Sequence, residues 1–390
     1  MRMLRIVGLI WAATLVTSFT PTPACADSWM LPSRATYMSC GGNTRVIVTP
    51  RDLESQLAYF EDKVSNAEPA GQEDKGVRAA TARLERLSGK RWQMVWEKKI
   101  VNDVAPVMAI VRDDGEYVAT FDDWHGVGYG PNAVVVYGHG GERIRSFSLS
   151  DILPNFYIEA LPHSVSSIHW RGLPRFSDDG RSLLIPVTVP SETSRSDAAT
   201  INLAIDLANG AISPMDEVGW QSALETGRTV RAARIAAEAT EKAKFLAPLS
   251  GPSMNNQRAW HEYLREAYAR LAGDDDTPST TVLREPTAKD YAISEKWVRD
   301  ALTDSYTDKV ALASLSAPNL VTVLERTIAA VRPGSLSKVT IFVAVGDEFW
   351  PAIQAAMQRS GAKLIQLDPN EPIPQRPESI AQRYGSQDGD

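Results

Sequence analysis

The stretch Ala105–Tyr137, APVMAIVRDDGEYVATFDDWHGVGYGPNAVVVY, decides the fold. Two apolar runs, Val107–Val111 and Tyr117–Phe121, flank Asp114-Gly115. An Asp-Gly pair between β-rich runs predicts a hairpin with a type I′ turn, which needs positive φ at both central residues. Counting outward from that turn pairs Val111 with Val118, Ile110 with Ala119 and Met108 with Phe121. Both faces of the ribbon are then largely apolar. A hairpin with one wet face alternates, so this one is expected to be covered on both sides, in the middle of a β core.

Period-two patterning extends in both directions. Ala79–Leu87 alternates, Ser88-Gly89-Lys90 turns the chain, and Trp92, Met94 and Trp96 return on one side. Val134–Tyr137, residues 144–148, Val165–Trp170, Leu183–Val189 and Thr200–Leu207 read as further strands, closed by Asn209-Gly210. A short helix is expected after Thr49-Pro50, with Leu53, Leu57, Phe60 and Val64 on one face. Near Pro214 the period changes to about 3.6. Trp220–Leu246 and Met254–Leu271 read as helices, the second with Trp260, Leu264, Tyr268 and Leu271 on one face and Gly273 as its terminator. Ile293, Trp297 and Ala301 mark a third helix. Strand and helix then alternate over 310–315, 319–331, 339–345, 350–359 and 363–367, an order that predicts parallel strands with right-handed crossovers. The continuously apolar 339–345 belongs inside that sheet.

The expected fold is therefore multidomain α+β. An antiparallel β domain (27–214) precedes a helical region (215–304) and a small βαβαβ unit (305–368), and the polar, Pro-rich residues 369–390 read as a disordered tail.

Three segments of the β half share a pattern. SCGGNTRVIVTP (39–50), VRDDGEYVATF (111–121) and FSDDGRSLLIPV (176–187), aligned at Gly42, Gly115 and Gly180, each place a turn before a short apolar strand. Phe176-Ser177-Asp178-Asp179-Gly180-Arg181 resembles the F-S-P-D-G-R signature of WD40-like and TolB-like repeats in exported bacterial β-propellers, with Asp178 in place of the proline. The resemblance covers three patches of the N-terminal half. It implies an incomplete propeller-like body that binds partners through its loops, and a β-sandwich fits the same strands.

The chain has 41 basic and 48 acidic residues. Arg2 and Arg5, the apolar Ile6–Val16 and Ala24-Cys25-Ala26 read as a signal peptide cleaved before Asp27, so the product is expected to be exported, periplasmic or secreted. Cleavage removes two bases and no acid, leaving an acidic surface unsuited to nucleic acid or anionic membranes. No later segment is long and apolar enough for a membrane helix. Cys40 alone remains, which excludes an internal disulfide and is expected to be buried as a small hydrophobe.

The chemistry-bearing residues form incomplete sets. Asp122, Asp123 and His125 could bind a metal or run acid–base chemistry as a hydrolase centre, although successive strand residues point to opposite faces. The competing role is to cap a turn. Gly126, Gly128 and Gly130 precede a strand rather than a helix, which excludes a dinucleotide loop and leaves a bulged connection or a ligand contact. Asp347 and Glu348 end the best parallel strand, where open α/β sheets bind ligands, which gives a small-ligand sensor as an alternative expectation. In the competing role Asp347 caps the next helix. His261-Glu262 lacks the second His of a zinc-protease helix, and Ser335-Leu336-Ser337-Lys338 lacks its companion motifs. Asp274–Asp276 lacks calcium-loop spacing. No cofactor is expected. The resulting expectation is a non-catalytic binding or scaffold protein of the bacterial envelope, its partner another envelope protein or a small ligand.

Overall fold

The computed structural model describes residues 29–192, 198–273, 277–303 and 308–385. The segment 1–26, expected to be a signal peptide, and Asp274–Asp276 lie outside them. The chain divides into two compact units, 1–236 and 237–390.

Among the described residues the first unit holds three separate four-stranded antiparallel sheets, each a simple meander. Sheet one contains β1 (Ala35–Met38), β2 (Thr44–Thr49), β3 (Thr81–Ser88) and β4 (Arg91–Lys99), with helix α1 (Gln56–Ser65) between β2 and β3. Sheet two contains β5 (Pro106–Val111), β6 (Val118–Asp123), β7 (Val134–Tyr137) and β8 (Arg143–Phe147). Helices α2 (Leu149–Ile152) and α3 (Asn155–Ala160) lead to sheet three: β9 (Arg175–Phe176), β10 (Ser182–Thr188), β11 (Thr200–Asp206) and β12 (Ile212–Pro214).

The predicted register of the central hairpin is the observed one, Val111 opposite Val118, Ile110 opposite Ala119 and Met108 opposite Phe121. The turn differs. Gly115 has φ 73°, whereas Asp114 is not left-handed, and Arg112 N–H reaches Tyr117 O across a longer loop.

Sheet two is covered on both faces, as its sequence requires. Ala109, Val111, Val118, Val135 and Tyr137 join one cluster with Val46, Val48, Leu84 and Trp96 of sheet one. Ala119, Phe121, Val134 and Val136 join the other with Leu183, Ile185, Leu203 and Ile205 of sheet three. Neighbouring sheets also overlap at their edges. A side-chain carbon at Gly141, in the β7–β8 turn, would lie 2.8 Å from the Trp96 ring of β4. Likewise Arg145 of β8 donates to Asn209 O in the β11–β12 turn, 2.9 Å. The outer face of sheet one is polar: the cross-strand partners Arg45 and Glu85 pair at 2.6 Å, and Arg83 and Glu97 at 2.8 Å.

Several local expectations change. Helix α1 starts at Gln56, capped by the Ser55 hydroxyl rather than by Thr49, and Leu57 and Val64 are exposed. Leu53 lies before the helix and packs with Val104 and Trp124. Residues 165–170 make isolated bridges instead of a strand: Val165 is exposed, the consecutive Ser166, Ser167 and Ile168 are all buried, and Ile168 and Trp170 join the core. Cys40 is exposed in the β1–β2 turn.

Helix α4 (Glu217–Leu246) begins in the first unit and ends in the second. In the first, Arg234 caps the C-terminus of α3 by donating to the Glu159, Ala160 and Leu161 carbonyls. The second unit is a parallel sheet of β13 (Ser279–Leu283), β14 (Lys309–Ser314), β15 (Thr340–Ala344) and β16 (Lys363–Leu367), in chain order. Strands added sequentially in one direction by right-handed crossovers place their connecting helices on one face. Accordingly α6 (Tyr291–Thr303), α7 (Ala317–Ala329) and α8 (Trp350–Met357) share a core with Leu283, Leu312, Ile341 and Val343. The opposite face, with Ala311, Ala313, Phe342 and Ala344, is covered by Tyr263, Leu264, Ala267 and Tyr268 of α5 (Gln257–Ala272).

The helical region expected over 215–304 is thus not a body of its own. It contains β13, a five-residue strand, STTVL, that carries no apolar–polar alternation and so gives no period-two signal. Helix α5 buries Leu264 and Tyr268 of its predicted stripe but leaves Leu271 exposed, whereas the buried face of α6, Ser294, Val298 and Leu302, sits one position away from the predicted one and leaves Ile293 and Trp297 exposed. Within the expected disordered tail, Ile373 pairs with Leu249, and α9 (Pro377–Tyr384) is helical.

Two-sided burial makes a direct prediction. Val135 and Val136 are adjacent and face opposite clusters. Val135→Ala and Val136→Ala should each lower unfolding stability by about 2–3 kcal/mol in urea titrations. A loss confined to one of them would mean a sheet covered on one side.

Candidate functional site

The Asp122, Asp123 and His125 cluster is built into the fold rather than left open. Asp122 is fully buried with φ 57°, a left-handed residue at the end of β6. Its Oδ1 accepts from Gly128 N–H at 2.8 Å and Trp170 Nε1 at 2.9 Å. Its Oδ2 accepts from Arg171 Nη2 at 2.7 Å and Nε at 3.2 Å. These four donors fill the positions a metal or a substrate proton would need. The Arg171 guanidinium lies over the Phe121 ring, 4.7 Å from its centre. Gly128, φ 76°, must be glycine: a side-chain carbon there would lie 2.9 Å from Ile168 Cβ.

Asp123 faces other partners, as strand geometry predicts. Asn102 Nδ2 donates to its Oδ1 at 2.7 Å and Asn132 Nδ2 to its Oδ2 at 3.0 Å. Burial pushes its carboxyl above the usual aspartate range, against the lowering effect of those hydrogen bonds. His125, also left-handed at φ 64°, turns its ring against Phe60 (4.5 Å between centres), Trp29 and Trp124 (both 5.5 Å). The three residues are neighbours in chain but serve three different contact sets. Among the described residues no group of three or more His, Cys, Asp and Glu side chains could hold a metal.

The glycines have distinct places. Gly126 and Gly130 shape the loop around Tyr129, whose hydroxyl donates to Ser164 O at 3.1 Å, and Val127 bridges to Ser167. The loop is a structural connection that carries the Asp122 donor.

Asp347 and Glu348 are exposed at the end of β15. Asp347 accepts from Gln366 Nε2 at 2.9 Å, and the cap residue of α8 is Phe349, so the expected helix-capping role of Asp347 is not observed.

A different feature draws the three repeated turns together. One cavity of about 440 Å³ is lined by Cys40 from the β1–β2 turn, Arg112, Asp113 and Asp114 from the β5–β6 turn, and Ser177–Gly180 from the β9–β10 turn. Met38, Ile110, Pro174 and Phe176 supply apolar walls, and Arg175 a second cation. The turns are tied to one another. Asp113 Oδ1 accepts from Gly41 N–H, and Thr44 Oγ1 donates to Arg112 O at 3.0 Å. Arg112 donates to Gly180 O and pairs with Asp114 through Nε at 2.7 Å and Nη2 at 2.6 Å. Burial would raise the Asp114 carboxyl, but Arg112 and the Glu116 amide hold it below its ordinary range. Ser177 and the Arg181 amide do the same for the exposed Asp179. Asp178 is fully exposed, with Arg175 at 3.7 Å. The alignment at Gly42, Gly115 and Gly180 was the available sequence signal for this convergence.

Asp122→Asn removes one partner of a buried pair and should cost about 3–5 kcal/mol of stability, whereas Asp178→Asn should stay within about 0.5 kcal/mol by the same titration. Asp123 predicts a pH dependence. A carboxyl whose folded pKa is raised stabilises the fold fully below its unfolded pKa and loses that contribution as pH rises through the folded value. The stability of the parent relative to Asp123→Asn should therefore fall as pH rises through and above the ordinary aspartate range. A flat difference would contradict the burial effect. No known family matches this sequence, and no curated protein shows significant similarity to it.

Proposed function

We propose that this protein is a binding protein of the bacterial envelope. Its N-terminal unit acts as an incomplete, propeller-like body that engages a partner through the three repeated turns. The observation that carries this reading is the gathering of those turns around one cavity. The face-to-face sheet packing and the turn-over-edge overlaps agree with the propeller resemblance. Export rests on the N-terminal charge and hydropathy pattern.

The cavity rim holds Asp113, Asp114, Asp178 and Asp179 against Arg112 and Arg175. Arg112 is already matched by Asp114. The remaining charge favours a basic segment, whose aliphatic stems lie along Phe176 and Met38 while the cationic heads meet carboxylates. The hydrolase alternative is less well supported, because Asp122 has its acceptor positions filled by the fold.

A lysine-rich model peptide labelled for fluorescence anisotropy tests the proposal, alongside capture from envelope extract. Binding should weaken by at least about fivefold in Asp178→Lys, whose exposed carboxylate ties no turn to another, with unchanged circular dichroism, and fall with added salt. Equal binding by the variant, or none by the parent, would reject this site.

A further inference from the structure

The second unit contains a cavity unrelated to the turns of the first. It measures about 440 Å³ and lies among the end of α4, the α4–α5 connection, α5 and α9. Its lining includes Lys244, Phe245, Leu249, Glu266, Arg270 and Arg383.

Arg270 is the unusual member. Its side chain is only 6% exposed, a position that a guanidinium tolerates only when its hydrogen bonds are met. Nε donates to Glu266 Oε1 at 2.8 Å. Nη1 donates to two carbonyl oxygens, Ala247 O and Ile373 O, both at 2.9 Å. Ile373 O also accepts from Leu249 N–H, and Ala247 lies two residues before Leu249, so this half of the guanidinium clasps two paired chain segments to α5. The clasp accounts for Nε and Nη1. Among the described residues Nη2 has no hydrogen-bond partner, although a guanidinium carries two further donors there.

The surroundings specify what those donors would meet. Glu266 is matched by Arg270 itself. Lys244 and Arg383 then outweigh Glu241, the one other carboxylate on the lining. Phe245 forms an aromatic wall, with Arg383 stacked 4.7 Å from its ring centre and Tyr384 packed edge-on at 5.6 Å. Pro248 and Leu249 extend the apolar surface.

We infer that this cavity binds a small organic oxyanion, a carboxylate or phosphate carried on an apolar or aromatic body, with Arg270 Nη2 as its fixed donor and Lys244 and Arg383 as flanking cations. The volume lies within the range of small-molecule sites. The site is independent of the turn cavity, so either reading can fail without the other.

The test uses the full chain and three anionic probes, benzoate, phenyl phosphate and inorganic phosphate, with benzamide as the neutral control, followed by calorimetry and by tryptophan and amide spectra. Benzoate or phenyl phosphate should bind, benzamide should not, and added salt should weaken binding. Preference for benzoate over phenyl phosphate, or the reverse, identifies the headgroup. Lys244→Gln/Arg383→Gln leaves the Arg270 clasp intact and should weaken binding by about fivefold or more. Arg270→Lys should abolish binding; because it also breaks the clasp, its thermal unfolding is compared with the double variant. Failure of both organic anions to bind would overturn the inference. So would equal binding of inorganic phosphate, equal binding of benzamide, or undiminished binding by the double variant.

Discussion

A strand whose every side chain is apolar needs a partner on each face, and sheet two supplies the case around which the first unit is arranged. Successive side chains in β6 and β7 point in opposite directions, so Val118 and Ala119, or Val135 and Val136, enter different cores. One face calls for sheet one and the other for sheet three. The stack ends where the demand ends: the outward face of sheet one is a ladder of cross-strand Arg–Glu pairs, which prefers water to another apolar sheet.

The buried Asp122–Arg171 pair has a complementary role. A lone carboxylate in that core would be costly, and Arg171, Trp170 and the Gly128 amide together make it tolerable. The pair joins the end of β6 to the glycine loop and to residues 170–171. It therefore fixes irregular backbone that no strand ladder holds. The residues that looked most like chemistry are consumed by architecture, and their left-handed φ values belong to that task.

The turn cavity arises differently. Each repeat contributes a polar turn at the same point of its sheet, and packing sheets face to face brings those turns side by side. Hydrogen bonds from Arg112 to the third turn, and to Asp113 from the first, then hold the group together. In the second unit a buried arginine again ties loop segments to a helix, and it also lines a cavity.

Much of the layout is legible in the order of the residues. Period-two and period-3.6 patterning located most elements, the Asp114-Gly115 hairpin register was correct, and the β-α-β order required a parallel sheet. These are local or near-local properties, written in side-chain alternation. Long-range packing settles that β13 joins that sheet, that α9 forms in the Pro-rich end, and that Cys40 is exposed. It also decided the roles of Asp122, Asp123 and His125, because their donors and ring contacts come from residues as distant as Trp29, Asn102 and Arg171. Which groups share a cavity depends on how separate sheets and helices pack, and alternation along one strand carries no record of that.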